Sequence, residues 1–248
     1  MDRHDHTATF FVLGWIADRC PDLIAEVARR GHDVASKGYL HRQYSQFTEA
    51  EFRDDIKRSC NAIESASGRQ VLGYRMAAGT LPIDDLTPYR ILAEEGMKYD
   101  SSIRPFGLEY VFHPEWRKIR ELSGDTWSLT EVPLSSQLFL GVPTPLTGGN
   151  YLRQAPRGLY EKCLDSYLKT SQEPWHLYFH TWEFDTDQPR VSATKRVSQL
   201  RHYRNLGAMK ERIEHFLALH KFQSIADYLA IAPQPVRISP QAKVAAIT

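Results

Sequence analysis

The stretch "SKGYLHR" places a histidine, His41, four residues beyond a lysine, Lys37. With histidine in place of Lys37 the spacing would be that of a His-x-x-x-His metal pair. The lysine changes the chemistry. One neutral imidazole does not hold zinc against water, and catalytic zinc sites keep three protein ligands. An amine ligates only when deprotonated, which a lysine pKa of about 10.4 opposes unless burial lowers it by several units. Other chemistry-bearing residues follow short apolar runs: Arg75 in "GYR", Asp100 with Ser101 in "YDSS", and His180 in "LYFH". The segment "TWEFDTD" is acidic and aromatic, so Trp182, and Tyr39 in the glycine turn, are candidate substrate contacts by ring stacking.

Strands and helices at a regular spacing would have to position these groups. "TATFFVL" (7–13) reads as a buried strand, and "PDLIAEVARRG" (21–31) as a helix with Pro21 in its first turn and Gly31 as its stop. "HDVAS" reads as a second strand. "TEAEFRDDIKRSCNAIESASG" (48–68) is a helix opened by a Thr48–Glu51 capping box and closed at Gly68. "VLGYR" (71–75) is a third strand, "TPYRILAEEG" (87–96) a helix capped by Thr87, and "KYDSS" (98–102) a fourth strand. This alternation predicts a parallel α/β sheet or barrel. Functional side chains in such sheets sit at the carboxyl ends of the strands, where Lys37, His41, Arg75, Asp100 and His180 are all expected. Residues 104–150 read as loops and an insertion around one strand, "WSLTEVPL" (127–134). Beyond them come a helical region (151–170), a strand "WHLYFH" (175–180), and helical elements over 200–222 and 224–230. The tail is punctuated by proline.

The bulk numbers exclude several classes. The 248 residues suffice for a sizeable core, and 31 basic against 30 acidic residues leave a net charge of +1. That balance argues against nucleic acid or an anionic membrane surface as partner. No run reaches the roughly 20 apolar residues of a transmembrane helix. Three scattered cysteines and the lack of a signal-like start point to a cytoplasmic protein.

The blocks "ATFFVLGW", "VASKGYLHR", "GYR", "YDSS" and "LYFHTWEFDTDQP" occur in the order found in the polysaccharide deacetylase family (NodB homology domain), which the chain resembles from residue 5 to about 230. "LRHYRNLGAM" resembles the C-terminal extension of the exopolysaccharide-export subgroup associated with PEP-CTERM and exosortase systems. The resemblance implies a distorted (β/α) barrel, expected to be N-terminally incomplete here. Residues 5–190 would form the deacetylase-like domain, 191–231 a helical extension, and 232–248 a flexible tail. It implies hydrolysis of N-acetyl groups from an amino-sugar polymer or oligosaccharide, with a divalent metal, usually zinc. On that pattern His41 is the second metal histidine, His180 the general acid, Arg75 the holder of the catalytic aspartate, and Asp100 a residue lining the site near the acid.

The departures are as specific as the matches. Lys37 replaces the first metal histidine. The family's two adjacent aspartates normally precede the "ATFFVLG" strand, which begins here almost at residue 1. "RMAAGT" replaces the usual run after the arginine. These departures lead to the expectation of a weak or inactive enzyme, a pseudoenzyme with no bound metal. The alternatives are a non-catalytic carbohydrate-binding or scaffold protein, or a truncated gene product that dimerises through an open barrel edge. Individual residues keep bland readings beside these. His41 would pin its loop and Lys37 would be solvated, or its ammonium would fill the vacated cation site. Arg75 would pair with Asp100 or attract an anionic ligand, and His180 would be a satisfied pocket histidine. The "DRHDH" start, with His4 and His6, lies at the wrong end of its strand for the cleft.

Overall fold

In the computed structural model, residues 5–190 and 196–236 are described, so His4 and the end of the expected tail lie outside them. The fold is α/β. Strands β1 (Thr9–Val12), β2 (Asp33–Ser36), β3 (Gly73–Tyr74) and β4 (Tyr99–Asp100) run parallel in that order. Strand β5 (Arg120–Ser123) is the antiparallel partner of β6 (Ser128–Glu131), and β6 lies parallel beside β4. The sheet order is therefore β1-β2-β3-β4-β6-β5.

Helices α1 (Gly14–Arg19), α2 (Pro21–Arg29), α3 (Glu49–Ser67) and α4 (Thr87–Glu94) accompany this sheet. The Thr48 side chain accepts from the Glu51 N–H while Glu51 reaches back to the Thr48 N–H, and Gly68 ends α3 in the left-handed region at φ 69°. Phe52, Ile56 and Ile63 of α3 are fully buried at helical spacing and form much of the core with Tyr74, Leu92 and Tyr99. The Tyr99 ring lies so close over Gly73 that a Cβ there would fall 1.9 Å from it. Only glycine allows that crossing.

Two compact units divide the chain. The first comprises residues 1–103, 120–132 and 222–248 and contains the six-stranded sheet; the second comprises 104–119 and 133–221. In the second, α5 (Glu109–Phe112) precedes a hairpin of β7 (Ser136–Phe139) and β8 (Val142–Pro145). Helices α6 (Gly149–Gln154), α7 (Arg157–Thr170), α8 (Arg196–Tyr203) and α9 (Met209–Leu219) follow, and α10 (Ile225–Tyr228) returns to the first unit. No helix among the described residues is long and apolar enough to cross a membrane.

Four local expectations are corrected. "WHLYFH" pairs with no strand: the His176 N–H goes to the Ser135 hydroxyl and its carbonyl accepts from the Thr147 hydroxyl, so side chains take the place of a ladder. Thr87 is the first helical residue rather than the cap, and its N–H is held by the Asp85 carboxylate. The helical region 151–170 is two helices, because Pro156 cannot continue the first. The stretch read as loops holds a hairpin and the additional strand β5.

Candidate functional site

The parallel strands of the first unit end in polar residues on one edge. Lys37 follows β2, Arg75 follows β3, Asp100 ends β4 and Glu131 ends β6. Arg75 is buried, donates its Nε–H to the Ser101 carbonyl at 2.8 Å and an Nη2–H to the Ser101 hydroxyl at 2.7 Å, and lies 4.2 Å from the Phe11 ring centre. The Ser101 hydroxyl passes its own proton to the Val132 carbonyl at 2.6 Å. Arg75 is thus engaged by the β4 end and not left uncompensated.

Asp100 and Glu131 face each other across registered positions of β4 and β6, both with 0 % exposure. Asp100 accepts from the Ser102 N–H and hydroxyl, and Glu131 Oε1 accepts from the Ile103 N–H at 3.1 Å. Burial raises both carboxyls, and Glu131 is pushed well above the usual range because Asp100 adds its charge and its hydrogen bond to the burial. Glu131 Oε2 is a fully buried oxygen with no acceptor role filled. Burial and their mutual repulsion favour the protonated form of the pair, and the charge of Arg75 opposes that. Sequence reasoning passed over Glu131, although the alternation of "SLTE" would have placed it at a strand end.

Lys37 is half-buried, which replaces the solvated placement. Burial lowers its ammonium to about 8, with the charge of Arg75 as the second cause. Desolvation and a like charge both disfavour the ammonium. His41 is exposed on the loop beyond. Tyr39 is buried, donates its hydroxyl to Asp18 at 2.8 Å and carries the Arg58 guanidinium 3.6 Å from its ring centre. That packing leaves little ring open to a sugar. The Asp55 carboxylate accepts from the Tyr39 and Leu40 N–H groups and fixes the turn.

In the second unit His180 lies beside a buried ion pair. The Arg153 Nη2–Glu183 Oε1 distance is 3.0 Å and both side chains are 1 % exposed. Arg153 also donates to the carbonyls of His202 and Arg204. A Cβ on Gly149 would fall 1.8 Å from Glu183 Oε2, so glycine makes room for the carboxylate. Glu183 Oε2 also receives the His180 N–H at 2.9 Å, and His180 Nε2 meets the Tyr178 hydroxyl at 2.8 Å. The Trp182 ring stacks on His202 at 4.2 Å and 8°. One face of that indole is therefore occupied.

The structure brings Lys37, Arg75 and Asp100 to one sheet edge with Glu131, while His180 and Trp182 belong to the other unit. A divalent metal does not fit the donors present. Among the described residues no three His, Cys, Asp or Glu side chains converge, and a cation placed by Lys37 would meet two positive charges.

Comparisons with known proteins give the family. Residues 1–99 match the model for polysaccharide deacetylase, and residues 101–230 match that for "Domain of unknown function (DUF3473)". A peptidoglycan-N-acetylglucosamine deacetylase of Bacillus cereus is 28 % identical over 68 residues, covering 27 % of this chain and 25 % of that protein. A chitooligosaccharide deacetylase of Bradyrhizobium is 35 % identical over 66 residues, covering 27 % of this chain and 30 % of that protein. The matched segments thus span less than a third of these curated relatives. A crystal structure assigned as a polysaccharide deacetylase from Mycobacterium smegmatis superposes with a TM-score of 0.60 at 22 % identity, over 95 % of this chain and 77 % of that one. The shared architecture is the (β/α) barrel of the carbohydrate deacetylases. With more than half of its length matched by one family, the chain belongs to the DUF3473 family, and its first 99 residues are similar to the polysaccharide deacetylase model.

Proposed function

We propose that this chain engages N-acetylated polysaccharide in exopolysaccharide metabolism and that its hydrolytic activity is weak or absent. The observation that carries the reading is Lys37. Where the resemblance expects the first metal histidine, a half-buried lysine stands under the charge of Arg75. Amide hydrolysis on the family pattern needs a polarised water and carbonyl, and two cations at that point oppose the ion that would supply them. The substrate class is supported by the relatives, which are named for deacetylation of peptidoglycan N-acetylglucosamine and of chitooligosaccharide. In this reading Arg75 and Asp100 hold the strand ends in place. Trp182, half-buried, is the aromatic side chain for a sugar contact, and His180 is the residue fit to move a proton.

Elemental analysis of the purified chain, with acetate release from an N-acetylglucosamine oligomer in added zinc or cobalt, tests the reading. The expected result is far less than one metal per chain and no acetate above background. Lys37→His is expected to raise metal retention. Stoichiometric metal with acetate release by the native chain would sink the reading.

A further inference from the structure

The hairpin of β7 and β8 ends in large apolar side chains that the rest of the chain leaves uncovered. Leu138 is 51 % exposed, Phe139 65 % and Leu140 90 %. Leu138 pairs with Pro143 and Phe139 with Val142, so Leu138 and Phe139 project from opposite faces of the ribbon and Leu140 from its turn. The tip is therefore apolar all round. Residues 132–152 contain no Asp, Glu, Lys, Arg or His, so this stretch carries no charge either. Leu140 holds φ 50° and Gly141 φ 81°, a turn that asparagine and glycine adopt readily and leucine does not. A leucine there costs stability and finds no cover within the chain. Beside the ribbon, the Gly107 N–H donates to the Pro143 carbonyl at 2.9 Å, and Leu108 and Phe112, at the two ends of α5, are exposed as well.

These features choose between occupants. A second copy docks on one face, and a stable dimer buries roughly 800 Å² per partner. Each face of this ribbon offers one large exposed side chain, far short of that. A fluid apolar medium surrounds what enters it and suits a tip that is apolar on every side. From Leu138 to Leu140 the strand advances roughly 7 Å at about 3.4 Å per residue, which matches the roughly 5–10 Å to which interfacial apolar side chains sink into a bilayer. At that depth the peptide groups of the turn still reach headgroups and water. We propose that the β7–β8 tip is a shallow lipid anchor, in which Leu138, Phe139 and Leu140 enter the surface of a bilayer without need of anionic lipid.

The test is flotation of the full chain with phosphatidylcholine vesicles. The native chain is expected to float equally in about 0.1 M and about 0.5 M salt, because an uncharged contact is not screened. Phe139→Gln/Leu140→Asn is expected to lower the partition coefficient about tenfold. Asparagine suits the backbone at position 140, so a retained melting midpoint separates this loss from unfolding. Leu159→Gln, which removes a leucine 58 % exposed on α7, is expected to float as the native chain does. Flotation that appears only with phosphatidylglycerol and disappears at high salt would overturn the proposal. So would no flotation with either lipid, or equal flotation of the double variant. A native dimer in light scattering that the double variant turns into monomer, without flotation, would assign the tip to a second copy and overturn the lipid reading.

Discussion

Asp100 and Glu131 place two carboxyls abreast on β4 and β6, both out of water. Both cannot be charged there, and the higher proton affinity falls on Glu131. Its folded pKa lies above the unfolded value. The stability it contributes is therefore complete below the ordinary carboxylate range and is lost as pH rises toward the folded pKa. Glu131→Gln keeps a hydrogen-bond donor toward Asp100 and removes that titration. Its unfolding free energy should vary less than the native chain's between about pH 5 and pH 8, and should exceed it at the alkaline end. Denaturant titrations across that range check this, and equal slopes would remove Glu131 as the buried acid. The strand-end rule found Lys37, Arg75 and Asp100, because position along a strand can be read from sequence. It could not find the burial of Tyr39 or the exposure of His41, since depth depends on what packs above a loop.

At the scale of elements, local chemistry was legible where a cap or a stop residue decides the backbone. The Thr48–Glu51 box and Gly68 fixed both ends of α3. The β7–β8 hairpin escaped because Pro143 and Pro145 argue against a strand, yet in a two-stranded ribbon both strands are edges and tolerate proline. Its tip has Leu140 at φ 50° and Gly141 at φ 81°, the paired positive values of a tight hairpin turn. Leucine is poorly suited to that conformation, and here it is 90 % exposed, so no packing offsets the strain. Leu140→Asn should stabilise the chain by about 1 kcal/mol. Thermal melting of the two proteins measures it. A lower midpoint for the asparagine variant would show that Leu140 has a contact within the folded chain.

At the scale of the molecule, the first unit is assembled from three separated stretches of chain. Its last stretch returns to the start of β1: the Phe222 N–H donates to His6 Nδ1, the Ser224 N–H to Thr7 Oγ1 and the Ile225 N–H to Thr9 Oγ1 at 2.8 Å. Further on, the Gln70 N–H donates to the Gln234 carbonyl and the Val236 N–H to the Gly68 carbonyl, so residues 234 and 236 are tied to the end of α3. Sequence periodicity could not foresee this closure, because it joins positions more than 200 residues apart through single side-chain acceptors. Thr9 is the joint. Its hydroxyl receives the Ile225 N–H and donates to the buried Asp33 at 2.8 Å, which also takes the Tyr99 hydroxyl at 2.6 Å. Thr9→Val keeps the shape while leaving one N–H without its acceptor and removing one of the donors to the buried Asp33, at a cost of about 1–3 kcal/mol. Amide exchange should quicken together in β1 and in residues 222–228, although only the first carries the substitution. Faster exchange in β1 alone would show that the returning segment is held by its other contacts and that Thr9 does not join the two ends of the unit.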